Sequence, residues 1–265
     1  MSDEEPIDIP GPWTTLLSAE GPTPRGICAF EDLLGVWHLL ADRNGGPGLV
    51  HATGRALPQP FTRNPDILPD VPSLAAPHVV HDGKAFCLFA ADGERLLWTR
   101  STDPNTWVDL PQEVCHVPAA SADPYVILLR KVWYLFHPGR VEREGGATPA
   151  IQLRTSQNLR NWSQPKTVYA GEGGQEQPGL SLPALVRKGR THVLIAREDA
   201  DPPLTLAVVS RRPDRFAWRN RALAGAWSGA DIIRPVAHGD YWYLLRVVTE
   251  EGGGWSAQIS PLAVR

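Results

Sequence analysis

A tryptophan closes the same phrase three times in this chain: RSTDPNTW at residues 100–107, RTSQNLRNW at 154–162 and VSRRPDRFAW at 209–218. The tryptophans stand 55 and 56 residues apart. A fixed period of this size means one supersecondary unit copied around or along an axis, and its length suits a propeller blade. A second phrase recurs upstream of each tryptophan. It reads as a proline-led apolar strand, a turn and an aromatic strand: APHVVHDGKAFCLFAA from Ala76, DPYVILLRKVWYLFHPG from Asp123 and LPALVRKGRTHVLIARE from Leu182. GICAFEDLLGVWHLLAD from Gly26 and ADIIRPVAHGDYWYLLR from Ala230 are weaker copies and bring the total to five.

Each unit predicts four short strands, a to d: the apolar run after the proline, the aromatic run, a strand ending in Arg-Thr-Ser or its like, and a strand starting at the tryptophan. Asp82-Gly83 and Lys188-Gly189 supply hairpin turns between a and b. The fifth unit runs out after its strand c, GGGWSAQISPLA at 252–263, while the N-terminus opens with an orphan d-like strand at 13–17. Pairing the two closes a ring and removes exposed sheet edges. The expectation is therefore an all-β, five-bladed β-propeller of four antiparallel strands per blade, one domain over 1–265, closed by the N-terminal strand joining the last blade.

The 42% hydrophobic content over 265 residues is enough for a sizeable core. A formal charge of −3 gives no reason to expect nucleic acid or an anionic membrane as partner. The sequence MSDEEPIDIPGPW lacks an apolar targeting segment, so the chain is expected in the cytoplasm, as a monomer. Cys28, Cys87 and Cys115 read as reduced thiols, and no pair has the spacing of a zinc site. GEGG at 171–174 and EGGG at 251–254 lack the strand-to-helix setting of a phosphate-cradling loop, so no cofactor and no metal are expected.

Asp-Pro-Tyr-Val-Ile from Asp123, Trp-Tyr-Leu-Phe from Trp133 and TSQNLRNW from Thr155 resemble the blade phrases of the five-bladed furanosidase propellers, glycoside hydrolase families 43, 32 and 68. The resemblance implies an axial pocket at the starts of the five a strands, rimmed by the b-to-c loops. It would collect Arg25, Gly26, Ala75, Ala76, His78, Ala122, Asp123, Ser181, Leu182, Ala230 and Asp231, with Asp42, Asp92, His137, Arg140, Arg197, Glu198 and Asp199 on the rim.

Glycoside hydrolysis needs two carboxyl groups flanking the scissile bond, about 5 to 10 Å apart according to mechanism. The resembled families use three acidic positions. The first aligns with Pro24-Arg25-Gly26-Ile27, which has no acid, and the catalytic acid falls on Ser181; only the middle one is kept, as Asp123. A serine cannot serve as a general acid at neutral pH, and losing such a role removes roughly 10²–10⁴ in rate. Glu176 is a candidate substitute acid and Asp231 a candidate partner of Asp123. His78, His137, Arg140, Ser181, Arg197, Glu198 and Trp227 are the candidate ligand-binding residues, the arginines as clamps for an anion and Trp227 for stacking. Trp13, Trp107, Trp162 and Trp218 are instead expected to pack between sheets.

The leading expectation is a glycoside-hydrolase-like propeller that binds a sugar or similar polar small molecule, with altered or residual hydrolysis. The alternatives are a binding module without chemistry and an enzyme recruited to a cyclisation or isomerisation of a non-sugar molecule. Apolar strand starts such as Ala75, Ala76, Ala122, Leu182 and Ala230 favour the last.

Overall fold

The computed structural model describes residues 7–8, 12–108, 111–116, 124–144, 146–170, 179–198, 204–216, 221–223 and 232–264. Among them are strands but no helix. The first sheet runs in order β3(Ile27–Glu31), β4(Trp37–Asp42), β5(Leu49–Gly54), β6(Thr62–Ile67). The second is β7(Ala75–His81), β8(Phe86–Asp92), β9(Arg95–Ser101), β10(Gln112–His116), and the third β11(Tyr125–Leu129), β12(Val132–Arg143), β13(Gly146–Ser156), β14(Lys166–Ala170). The fourth is β15(Leu180–Lys188), β16(Thr191–Glu198), β17(Leu204–Ser210), β18(Arg221–Leu223). In the fifth, β19(Ile232–His238) and β20(Tyr241–Thr249) lead to β21(Gly254–Val264). All pairing is antiparallel, and from β3 to β21 each strand within a sheet lies beside its neighbour in sequence, as short hairpin connections dictate.

The N-terminal strand completes the last sheet, as expected. β2(Thr14–Glu20) lies along β21, with Thr14 opposite Ile259 and Glu20 opposite Gly254. The two-residue β1(Ile7–Asp8) pairs with the far end of the same strand, at Val264 and Ala263.

The first strand of each sheet pairs on one side only. That is why Pro77, Pro183 and Pro235 can sit inside β7, β15 and β19: an edge strand has no second ladder for the missing N–H to break.

The recurring Ser and Trp build the turn between strands c and d. Ser101, Ser156 and Ser210 each accept, through Oγ, the N–H of the residue two positions on, at 3.1, 3.2 and 3.1 Å. The indole N–H of Trp107 donates to the Pro104 carbonyl at 2.9 Å, and that of Trp162 to the Leu159 carbonyl at 3.1 Å. The tryptophan therefore fastens the turn rather than opening strand d, which begins later, at Gln112 and Lys166. Trp107 is buried and packs between the first and second sheets with Cys28, Leu40 and Leu88. Trp162 is half-buried, Trp13 lies under the Arg246 guanidinium 4.0 Å from its ring centroid, and Trp218 lies outside the described residues.

The chain groups into two compact units. One holds residues 9–117 and 229–262, with the first, second and fifth sheets; here β3 packs against both β7 and β19. Its core includes Leu74, Phe86 and Leu88 between the first two sheets. The other unit holds residues 118–228 with short pieces of both termini; here β11 packs against β15, over a core of Phe136, Ile151, Leu194 and Leu206. Cys28, Cys87 and Cys115 form no disulfide, and burial pushes Cys28 and Cys87 up to about 12.

Candidate functional site

In the first unit the strand starts are organised by Asp42, the last residue of β4 and 1% exposed. Its Oδ1 accepts the backbone N–H of Arg25 at 2.9 Å and of Asn44 at 2.8 Å, and its Oδ2 that of Ala76 at 3.3 Å. One carboxylate thus ties the entry of β3 to β7. Burial raises its proton affinity, and the amide hydrogen bonds oppose that. All these contacts go to backbone amides, so Asp42 is a structural anchor rather than a rim acid offered to a ligand.

Gly26 lies beside that anchor, in the segment where the resembled families carry their first catalytic aspartate. A Cβ added at Gly26 would stand 2.2 Å from the Ala76 Cα and 2.7 Å from its nitrogen. The space that a side chain needs is occupied by main chain. Ala76 reaches that place by adopting φ 48°, within a register shift of the β7–β8 pair between Ala75 and His78. A positive φ is costly for a residue with a Cβ and persists only where the surroundings hold it. Asp42 and the close pass of Gly26 supply that hold. His78 is half-buried on the same strand, and Asp92 at the end of β8 is ion-paired with Arg95.

In the second unit, β15 and β16 bring Ser181 opposite Arg197 and Leu180 opposite Glu198. Residues directly opposite share a face of the sheet and neighbours along a strand alternate, so Ser181 and Arg197 lie together on one side and Glu198 on the other. Glu198 is buried at 6% exposure and Arg197 half-buried.

His137 is placed differently from the expected rim position. It lies in mid-strand in β12, opposite Gln152, and is 1% exposed. Its Nδ1 donates to the Pro138 carbonyl at 2.8 Å, and its Nε2 has no partner among the described residues. Burial pulls it down to about 4, so it is neutral at physiological pH. Arg140 is exposed, with Nη2 3.4 Å from the Ala147 carbonyl, and residues 141–143 and 146–150 continue β12 and β13 as paired strands. Asp123, Asp231, Glu176 and Trp227, with Asp199, Ala122 and Ala230, lie outside the described residues.

A buried polar chain that the sequence did not single out runs through the first sheet. His38 Nδ1 and His51 Nε2 are 3.0 Å apart, both rings are almost wholly buried, and His38 Nε2 lies 3.4 Å from Asp32 Oδ2. Burial lowers both histidines, His51 to about 4. Asp32 sits in the β3–β4 turn, where its Oδ1 also accepts the N–H groups of Leu34 and Val36 at 2.8 Å. No cluster of three or more metal-binding side chains occurs among the described residues.

No family model and no curated protein matches the sequence. Solved structures do match. A thermostable family-43 glycoside hydrolase superposes with a TM-score of 0.73 at 12% identity, over 95% of this chain and 92% of that one. An endo-1,4-β-xylanase from Bacteroides thetaiotaomicron gives a TM-score of 0.71 at 14% identity, over 95% and 94%. A Bombyx mori family-32 β-fructofuranosidase variant in complex with sucrose gives 0.71 at 16%, over 93% of this chain and 61% of that one. At such identities the likeness speaks for architecture alone. This chain has the five-bladed propeller fold of the glycoside hydrolases of families 43 and 32.

Proposed function

We propose that this protein binds a sugar or a similarly polar small molecule through the strand starts of its glycoside-hydrolase-type propeller, and that hydrolysis by a pair of carboxyl groups has been lost. One observation carries the reading: the backbone of Ala76 fills the space a side chain at Gly26 would need. The aligned segment 24–27 holds no acid, and at Gly26 the fold leaves no room for one. Ser181, standing opposite Arg197, supports the same conclusion for the catalytic acid, because it offers a hydroxyl where proton transfer at neutral pH needs a carboxyl. The sucrose complex of the Bombyx mori enzyme makes a sugar the natural first ligand class to test. The apolar strand starts that pointed toward a non-sugar ligand include Ala76, which is buried against Gly26 and so adds no apolar wall.

The test is a panel of chromogenic furanosides and pyranosides run in parallel with melting curves in the presence of the free sugars. The expected result is a saturable rise in melting temperature with at least one sugar and no release of chromophore. Turnover that disappears in an Asp123→Asn variant would overturn the proposal, since it would mean that a carboxylate mechanism survives.

A further inference from the structure

A basic surface lies at the opposite end of the sheets from the strand starts. In the unit spanning 118–228, the a-to-b turns of the third and fourth sheets border a cleft of about 840 Å³, within the usual range of small-molecule pockets. Arg130, Arg187, Arg190, Arg211 and His192 line it, with no acidic residue in the lining among the described residues. The sequence around these turns is equally one-sided: residues 125–141 and 180–197 contain no aspartate or glutamate and add Lys131 and Lys188. Arg130, Arg190 and Arg211 have no carboxylate within ion-pair distance among the described residues, whereas neighbouring Arg212 is paired with Asp214. Arg187 is held in place by its Nε, which donates to the Gly189 carbonyl at 3.0 Å.

Two further features mark this as a site rather than a solvated patch. Arg130 and Lys131 occupy the two central positions of the β11–β12 turn at φ 50° and 65°. Such a turn favours Asn-Gly, so two long cations are held there against local preference. His192 is 8% exposed and its Nδ1 has no hydrogen-bond partner among the described residues. Unpaired buried polar atoms are costly, and this one belongs to a ring that lines the cation-rich cleft.

We propose that this cleft is a second binding site, separate from the strand starts, for a small molecule carrying a tetrahedral oxyanion, a phosphate or sulfate ester. The guanidinium groups present planar donor forks matched to such an anion. Leu129, Val132 and Tyr134 form an apolar wall for the organic part of the ligand. His192 joins as a cation. Burial, Arg187 and Arg130 all disfavour its charge in the empty cleft, while the Arg211 backbone carbonyl favours it. An anion reverses that balance, so binding is accompanied by uptake of one proton on the imidazole.

Titration calorimetry of the full chain at low ionic strength tests this with a hexose 6-phosphate, a hexose 6-sulfate and the free hexose. Saturable binding of either ester is expected, and the stronger of the two identifies the natural anion. Replacing Arg190→Glu and Arg211→Glu together should weaken it by about 100-fold or more, since hydrogen bonds to charged groups carry about 1.5–3 kcal/mol each. Proton uptake with the sulfate ester, which itself does not titrate near neutrality, should vanish in His192→Gln. Absence of saturable ester binding, or ester binding indifferent to the double charge reversal, would overturn the assignment. Binding of the free hexose that survives the charge reversal belongs to the strand-start site, so the two proposals fail independently.

Discussion

Gly26 shows how one residue can decide a reading. The sequence displays no acid in the segment 24–27, where a carboxylate is expected, but not what lies against Gly26 there, because Ala76 is fifty positions away and reaches Gly26 only through its positive φ and the Asp42 bridge. The obstacle is the Cβ itself. Gly26→Ala should therefore cost about as much stability as Gly26→Asp, on the order of 1–3 kcal/mol or more for overpacking against backbone. Urea denaturation of both variants reads this directly. An alanine variant as stable as the parent would mean that the space is open to a side chain. Asp42 itself was visible as an acid at the end of a b strand, but its use was not, since three backbone amides from separate segments converge on it only after folding.

At the scale of the element, the period of the tryptophans and the serine before each one gave the strand count correctly, and the position of strand d incorrectly. An aromatic residue next to a polar turn reads as the first residue of a half-buried strand. In the folded chain its N–H is spent on a carbonyl three residues back, which keeps the backbone in the turn. The same limit explains β12. His137-Pro138 looks like a strand exit because proline breaks ladders, yet among the described residues the pairing of β11 with β12 ends at Phe136, and beyond it Pro138 borders β13 alone, opposite Ile151. The two turn tryptophans differ in burial, which makes a comparative test. Trp107→Phe removes an indole from a packed core, whereas Trp162→Phe acts on a half-buried ring. Both lose one hydrogen bond, worth about 1 kcal/mol, so the Trp107 variant should be the less stable by a further ~1–2 kcal/mol of lost packing. Equal unfolding midpoints would show that fastening the turn, not the core, is the tryptophan's role.

At the scale of the whole molecule, the five-sheet architecture was legible because each unit cannot bury its face alone and the two chain ends supply complementary halves of the last sheet. The buried histidines were not legible, since His38 and His51 sit thirteen residues apart in adjacent strands with no motif between them. They set the response of the protein to acid. The ordinary histidine value of 6.5 falls to about 4 for His51 and His137, and His38 is lowered as well, burial being the first cause in each. Because the folded values lie below the unfolded ones, the unfolded chain binds more protons as pH drops through 6.5, and stability falls with it until pH reaches about 4. A gap of about 2.5 in pKa corresponds to roughly 3 kcal/mol for each of His51 and His137. Asp42, whose affinity for a proton is raised, acts in the opposite sense from its ordinary 3.8 upward, one carboxyl against three imidazoles, and Asp214, held at about 2 by Arg212, loses its contribution as pH falls from 3.8 toward 2. Between pH 6.5 and 4 the histidines therefore dominate. Protonating whichever member of the His38–His51 pair accepts that hydrogen bond also sets two N–H donors face to face at 3.0 Å. Denaturant titrations at pH 7.5, 6 and 5 should show stability dropping by several kcal/mol, and His51→Gln should flatten that slope while lowering stability at pH 7.5. A profile level from pH 7.5 to 5 would mean that these imidazoles are already charged or solvated in the folded protein, and that the buried pair does not exist in solution.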